Sequence, residues 1–157
     1  MVIGSSPITL IFTSSMLLFP KKTKFNKSFS STKVTKKTIK VSKSKYSCLN
    51  LISLSSGKIT NFQIESLRRF LRRFLKKKAQ IFFRVFPAVP ITKKPNDVRL
   101  GRGKGAVKYW AANVKRGDVI LEIKSYDIAL TAAILKASRI KLATKTFVFN
   151  RSKRWIF

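Results

Sequence analysis

The 157-residue sequence contains no histidine, one cysteine and only five acids: Glu65, Asp97, Asp118, Glu122 and Asp127. Without histidine, and with carboxylates this sparse, there is almost nothing from which to build a general acid–base pair or a two-metal site. A zinc site needs about four ligands, and Cys48 has no companions to supply them. Nor can Cys48 close an internal disulfide, so it reads as a small structural residue. Long hydrophobic runs are also missing. Residues 2–19 are uncharged, but Gly4, Pro7 and several serines and threonines interrupt Leu10, Ile11, Phe12, Leu17 and Leu18, short of the roughly 20 predominantly apolar residues of a membrane span. The segment lacks the basic start of a secretory signal and the arginines of a mitochondrial presequence. The expectation is therefore of no catalytic residue, no metal, no cofactor and no small-molecule substrate.

Cation is what the sequence has in excess. Lysine and arginine total 35, a formal net charge of +30, which repels itself strongly in a compact domain unless a polyanion neutralises it. Nucleic acid and an anionic membrane surface both qualify on charge alone. The length suits one compact domain with an appendage and is too short for two full-sized cores.

Spacing along the chain is more discriminating. Residues 21–45 hold ten lysines and no acid, too much like charge for a self-sufficient folded element. An arm that orders along RNA phosphates accounts for this better than a solubilising tail, because each neutralised phosphate releases a counterion. At Thr60-Asn61-Phe62-Gln63 the pattern matches a capping box and predicts a helix start. Beyond it Ile64, Leu67, Leu71, Phe74 and Leu75 recur at three- and four-residue spacing, while Arg68, Arg69, Arg72, Arg73 and Lys76 to Lys78 fill the rest. The apolar face is expected on a sheet with the arginines toward RNA; a merely solvated face and a membrane-surface helix are the competing readings.

Ile81 to Phe86 is β-rich and ends at Pro87. Val107 to Val114 and Val119 to Ile123 flank the turn-forming Lys115-Arg116-Gly117-Asp118 and predict a hairpin. Asp127 to Ile140 predicts a second helix, and Lys145 to Phe149 a closing strand. Between the first strand and the hairpin, Pro87 to Gly105 reads as one long loop of the kind that is usually functional. Its prolines stiffen the first half, and its glycines, alternating with Arg102 and Lys104, let backbone approach a phosphate chain. Gly101, Gly103 and Gly105 fit neither the Walker A spacing nor a complete G-x-G-x-x-G that opens a helix, so a nucleotide site is excluded.

Val89-Pro90-Ile91-Thr92-Lys93-Lys94-Pro95, followed by Arg99-Leu100-Gly101-Arg102-Gly103-Lys104-Gly105 and Tyr109-Trp110, closely resembles the bacterial and organellar ribosomal protein L16 family. Pro20-Lys21-Lys22-Thr23-Lys24-Phe25, Ile59 through Arg69, Val119 to Glu122 and Lys141 to Thr146 resemble it as well, so the similarity spans roughly residues 16–149. The resemblance implies an α+β fold, two helices packed against a mixed or antiparallel sheet, behind an extended basic N-terminal arm. It implies a structural constituent of the large ribosomal subunit, not an enzyme, that binds large-subunit rRNA and helps position A-site tRNA near the peptidyl transferase centre, beside neighbouring ribosomal proteins. Lys21, Lys22, Lys24, Lys27, Arg68, Arg69, Arg72, Arg73 and Lys76 are then the expected rRNA contacts. Lys93, Lys94, Arg99, Gly101, Arg102, Gly103, Lys104 and Gly105 form the expected rRNA- and tRNA-proximal loop.

The division that follows is an apolar extension over 1–19, the arm over 20–50, the α/β domain over 51–150 and a basic tail over 151–157. Family members start near a Met-Leu like Met16-Leu17, which makes residues 1–15 an extension; membrane contact through 1–19 is the less favoured partner. The sequence departs from the family in an arm rich in lysine, serine and threonine, in Ala143 where proline is common, and in a second helix with few of the usual acids. Lysine as the sole base before Arg68, 13 phenylalanines and the missing import signal suggest an AT-rich organelle genome, mitochondrial in preference to plastid. A basic membrane-surface protein, or an organellar RNA-binding protein outside the ribosome, is the alternative.

Overall fold

The computed structural model describes residues 10–11, 18–29, 49–99, 101 and 103–150. Cys48, Arg102, residues 30–47 of the arm and the tail 151–157 lie outside them, as do most of residues 1–17.

Two antiparallel sheets and two helices make up the fold. One sheet has the order β1 (Leu10–Ile11), β4 (Ala79–Phe83), β7 (Val119–Ser125), β2 (Leu49–Ser53) and β8 (Thr146–Asn150). The other has β3 (Gly57–Thr60), β6 (Ala106–Val114) and β5 (Val89–Lys93), with β6 central. Every strand pairing in both is antiparallel, which realises the antiparallel form of the expected α+β fold.

Helix α1 (Asn61–Leu75) starts where the sequence signals it. The Thr60 hydroxyl accepts from the Gln63 amide at 3.2 Å, and the Gln63 side chain accepts from the Thr60 amide at 3.0 Å. Its buried stripe is Ile64, Leu67, Leu71 and Leu75. Phe74, expected on that stripe, is instead 54% exposed and lies against Phe70 with ring centroids 4.8 Å apart; at 100° per residue it falls off the centre that the four aliphatics define. The helix packs on α2 (Ile128–Ser138), β3 and β6, while α2 packs on β2 and β8. Asp127 caps α2 by accepting from the Leu130 amide at 3.0 Å. One apolar cluster therefore joins Ile64, Leu67 and Leu71 of α1 to Ile59 and Val114 of one sheet and to Leu51, Leu121 and Val148 of the other.

Three expectations need correcting. Strands β6 and β7 do not pair with each other: β6 bonds to β3 and β5, β7 to β2 and β4. The turn between them forms, with the Asp118 carboxylate accepting from the Lys115 amide at 2.8 Å. It is tied to the end of β2, however, through Gly117 N–H to Ser53 O and Ser53 N–H to Asp118 O, so it carries the chain from one sheet to the other. The loop from Pro87 to Gly105 is not continuous, because β5 occupies Val89–Lys93. Pro90 is tolerated there because β5 is an edge strand, where a missing N–H leaves no ladder bond unmade. Finally, β4 spans Ala79–Phe83 and ends before the expected Arg84 to Phe86.

Thr60→Ala removes the hydroxyl that accepts from the Gln63 amide while keeping the backbone N–H that donates to the Gln63 side chain, and is expected to lower stability by about 1 kcal/mol, read as a shift in the urea midpoint at constant slope.

Candidate nucleic-acid interface

The outer side of α1 is the first basic surface. Arg69, Arg72, Arg73 and Lys76 to Lys78 are exposed, as the spacing predicts. Arg68 is different: it is half-buried and grips Glu65 with two parallel bonds, Nε to Oε2 at 2.8 Å and Nη2 to Oε1 at 2.7 Å. Arg69 Nε adds a third at 2.9 Å. The Arg68 guanidinium holds the Glu65 carboxyl below its ordinary range, against the opposing push of partial burial, and Arg69 reinforces it. The helix's one acid is thus turned onto its own arginines.

The arm and the β5–β6 hairpin form the second surface. Lys21, Lys22, Lys24 and Lys27 are exposed, and Lys24 Nζ lies 5.6 Å from the Phe25 ring centroid. Lys27 donates to the Lys104 carbonyl at 2.8 Å, and Lys104 donates back to the Ser28 carbonyl at 2.6 Å. The Lys104 ammonium also stands 4.7 Å from the centroid of Phe29, within cation–π range. Two expected contact groups some 77 residues apart are therefore joined. Within the tip Lys94 donates to the Gly101 carbonyl at 2.7 Å. Lys93 and Arg99 are exposed.

Glycine is required at the tip. Gly101 and Gly103 have φ of 103° and 76°, values that L side chains rarely adopt. At Gly105 a Cβ would lie 2.7 Å from the Lys93 carbonyl oxygen, too close for any side chain. These glycines therefore shape the tip as well as leaving its backbone open.

A cleft of about 480 Å³ at the base of the tip is lined by Lys93, Lys94, Pro95, Asn96, Ala106, Val107 and Lys108. Lys108 escaped the sequence reading. The register steps from Ile91↔Tyr109 to Thr92↔Val107, so Lys108 is the extra residue of a bulge, and bulges re-aim a side chain. Alternation along Val107 to Val114 was the available signal, but a bulge breaks it.

The other acids do not form a reactive group. Glu122 is fully buried across from Asn50 and Phe82, with Arg84 Nη1 3.5 Å from its carboxylate. Among the described residues no cluster of three or more potential ligands could hold a metal, and no helix is long and apolar enough to cross a membrane.

Residues 20–149, from the start of the arm to the last strand, match the family model for ribosomal protein L16p/L10e. The chain belongs to the ribosomal protein L16 family. It is 39% identical over 140 residues to the large ribosomal subunit protein uL16 of Erythrobacter litoralis, covering 86% of this chain and 93% of that one. To the protein of the same name from Azorhizobium caulinodans it is 39% identical over 137 residues, covering 86% and 98%. Membership of the L16 family makes the chain a structural ribosomal component rather than an enzyme. Both basic surfaces lie inside the matched range.

Two outcomes test the geometry. Glu65 has a lowered folded pKa, so its contribution is present above the unfolded value of about 4.3 and is lost as pH falls through the lower folded value. Glu65→Gln should therefore flatten the decline in stability below about pH 4.3, seen in urea midpoints across an acid series. Gly105→Ala forces the strands apart and should destabilise by about 1–3 kcal/mol, seen in thermal unfolding.

Proposed function

We propose that this structural protein of the large ribosomal subunit binds large-subunit rRNA through its arm and the outer face of α1, and reaches A-site tRNA near the peptidyl transferase centre with the tip of the β5–β6 hairpin. The observation that carries the reading is the junction of arm and tip, Lys27 to the Lys104 carbonyl and Lys104 to the Ser28 carbonyl. It concentrates the cations of two distant segments beside a lysine-lined cleft.

On this reading Lys21, Lys22, Lys24 and Lys27 follow rRNA phosphates, with Arg69, Arg72, Arg73 and Lys76 on a second stretch. Arg68 contributes mainly by holding Glu65 away from the RNA. Lys93, Lys94, Arg99, Arg102 and Lys104 neutralise and position backbone, and such contacts fix register without reading sequence. Gly101, Gly103 and Gly105 keep the tip slim enough to approach an acceptor arm. Other ribosomal proteins complete the surroundings. Residue usage, with lysine the sole base before Arg68, supports an organellar subunit, and the divergence of the arm and second helix from the family pattern favours the mitochondrion over the plastid.

The test is Arg99→Ala combined with Arg102→Ala. Exposed charge changes cost little stability, so the variant should fold and enter large subunits while slowing tRNA accommodation in a single-turnover assay. Unaltered accommodation in fully occupied subunits would reduce the tip to scaffolding.

A further inference from the structure

Phe62 stands where neither the core nor charge neutralisation explains it. It is the second residue of α1 and 67% exposed. The helical period places Arg69 and Arg73 within about 20° of it, so the three form one outward stripe, and both arginines are exposed. Glu65, one turn along, is engaged by Arg68 and Arg69 and does not repel an approaching phosphate. Phe74, the other exposed ring of this helix, has a packing role against Phe70, which itself packs on the core. Phe62 instead projects at the N-terminal end of this stripe, about 10 Å along the helix axis from Arg69 and about 16 Å from Arg73.

We propose that Phe62 stacks on an unpaired base of large-subunit rRNA while Arg69 and Arg73 hold phosphates further along the same strand. The inference rests on the RNA-binding reading above and adds a base contact to it. Arginines alone bind any phosphate chain, paired or not. An aromatic ring in line with them favours single-stranded or bulged RNA, because only an unstacked base offers a free face, and stacking accepts any base. The amide end of the helix dipole lies beneath the ring and favours the same anionic backbone. A protein neighbour is the weaker occupant, since an apolar partner over Phe62 would have to bury Arg69 and Arg73 as well.

The full chain would be titrated by fluorescence anisotropy with two oligonucleotides of about 12 residues, oligoadenylate and an abasic ribose-phosphate chain of equal length. Phe62→Leu should weaken oligoadenylate binding roughly tenfold and leave abasic binding unchanged, and Phe62→Tyr should restore the difference. The ring is exposed, so the leucine variant keeps its fold. Equal affinity of wild type and Phe62→Leu for oligoadenylate overturns the stacking role while leaving the RNA-binding reading intact. If that variant also enters large subunits poorly, the ring belongs to a protein contact. Failure of the wild type to bind either oligonucleotide overturns the RNA-binding reading itself.

Discussion

Ile64, Leu67, Leu71 and Leu75 form the seam on which both sheets close. A three-stranded antiparallel sheet is at the edge of independent stability, and β3, β5 and β6 become part of one domain because Ile59, Ala112 and Val114 share a cluster with the helix stripe and with Leu49, Leu51 and Val148 of the larger sheet. Each fully buried aliphatic of this kind contributes roughly 1.5–3 kcal/mol. That attraction has to outweigh the repulsion of a molecule carrying +30. The fold manages it by segregation: the stripe of α1 that faces inward carries no charge, and the opposite face carries its arginines.

Some of the cations also have work inside the fold. Lys27, Lys94 and Lys104 donate to backbone carbonyls and so hold the arm and the hairpin tip in shape. Lys93, Arg99, Lys108 and the outer arginines of α1 are exposed. Arg68 belongs with the first group through Glu65, and Arg84 faces the buried Glu122. Some basic residues in this sequence are thus struts, and composition alone does not separate these from the others. Hydrogen bonds between segments do.

How far the fold was legible depended on the range of the interactions. The capping box at Thr60, the aliphatic stripe of α1, the capped start of α2 at Asp127 and the closing strand are local patterns, and they stand where the sequence places them. Strand β2 escaped because all five of its residues are buried, which erases the alternation that marks a half-exposed strand. Strand β5 escaped because Pro90 argues against a strand until its edge position is known. The pairing of β6 and β7 was misread because a turn of suitable chemistry does not reveal which sheet each flank joins.

By itself the sequence determined the cationic character, the absence of catalytic inventory, the helix starts and the family, since each rests on residue identity or on patterns within a few turns of chain. Tertiary structure alone decided that two sheets share one helix seam, that Lys104 reaches back to Ser28 across the molecule, that Lys108 is re-aimed by a bulge, and that Phe62 is left outside the core. The physical reason is the same in each case. These features depend on which distant segments come into contact, and the cost of closing those loops is met by burial spread over the whole core.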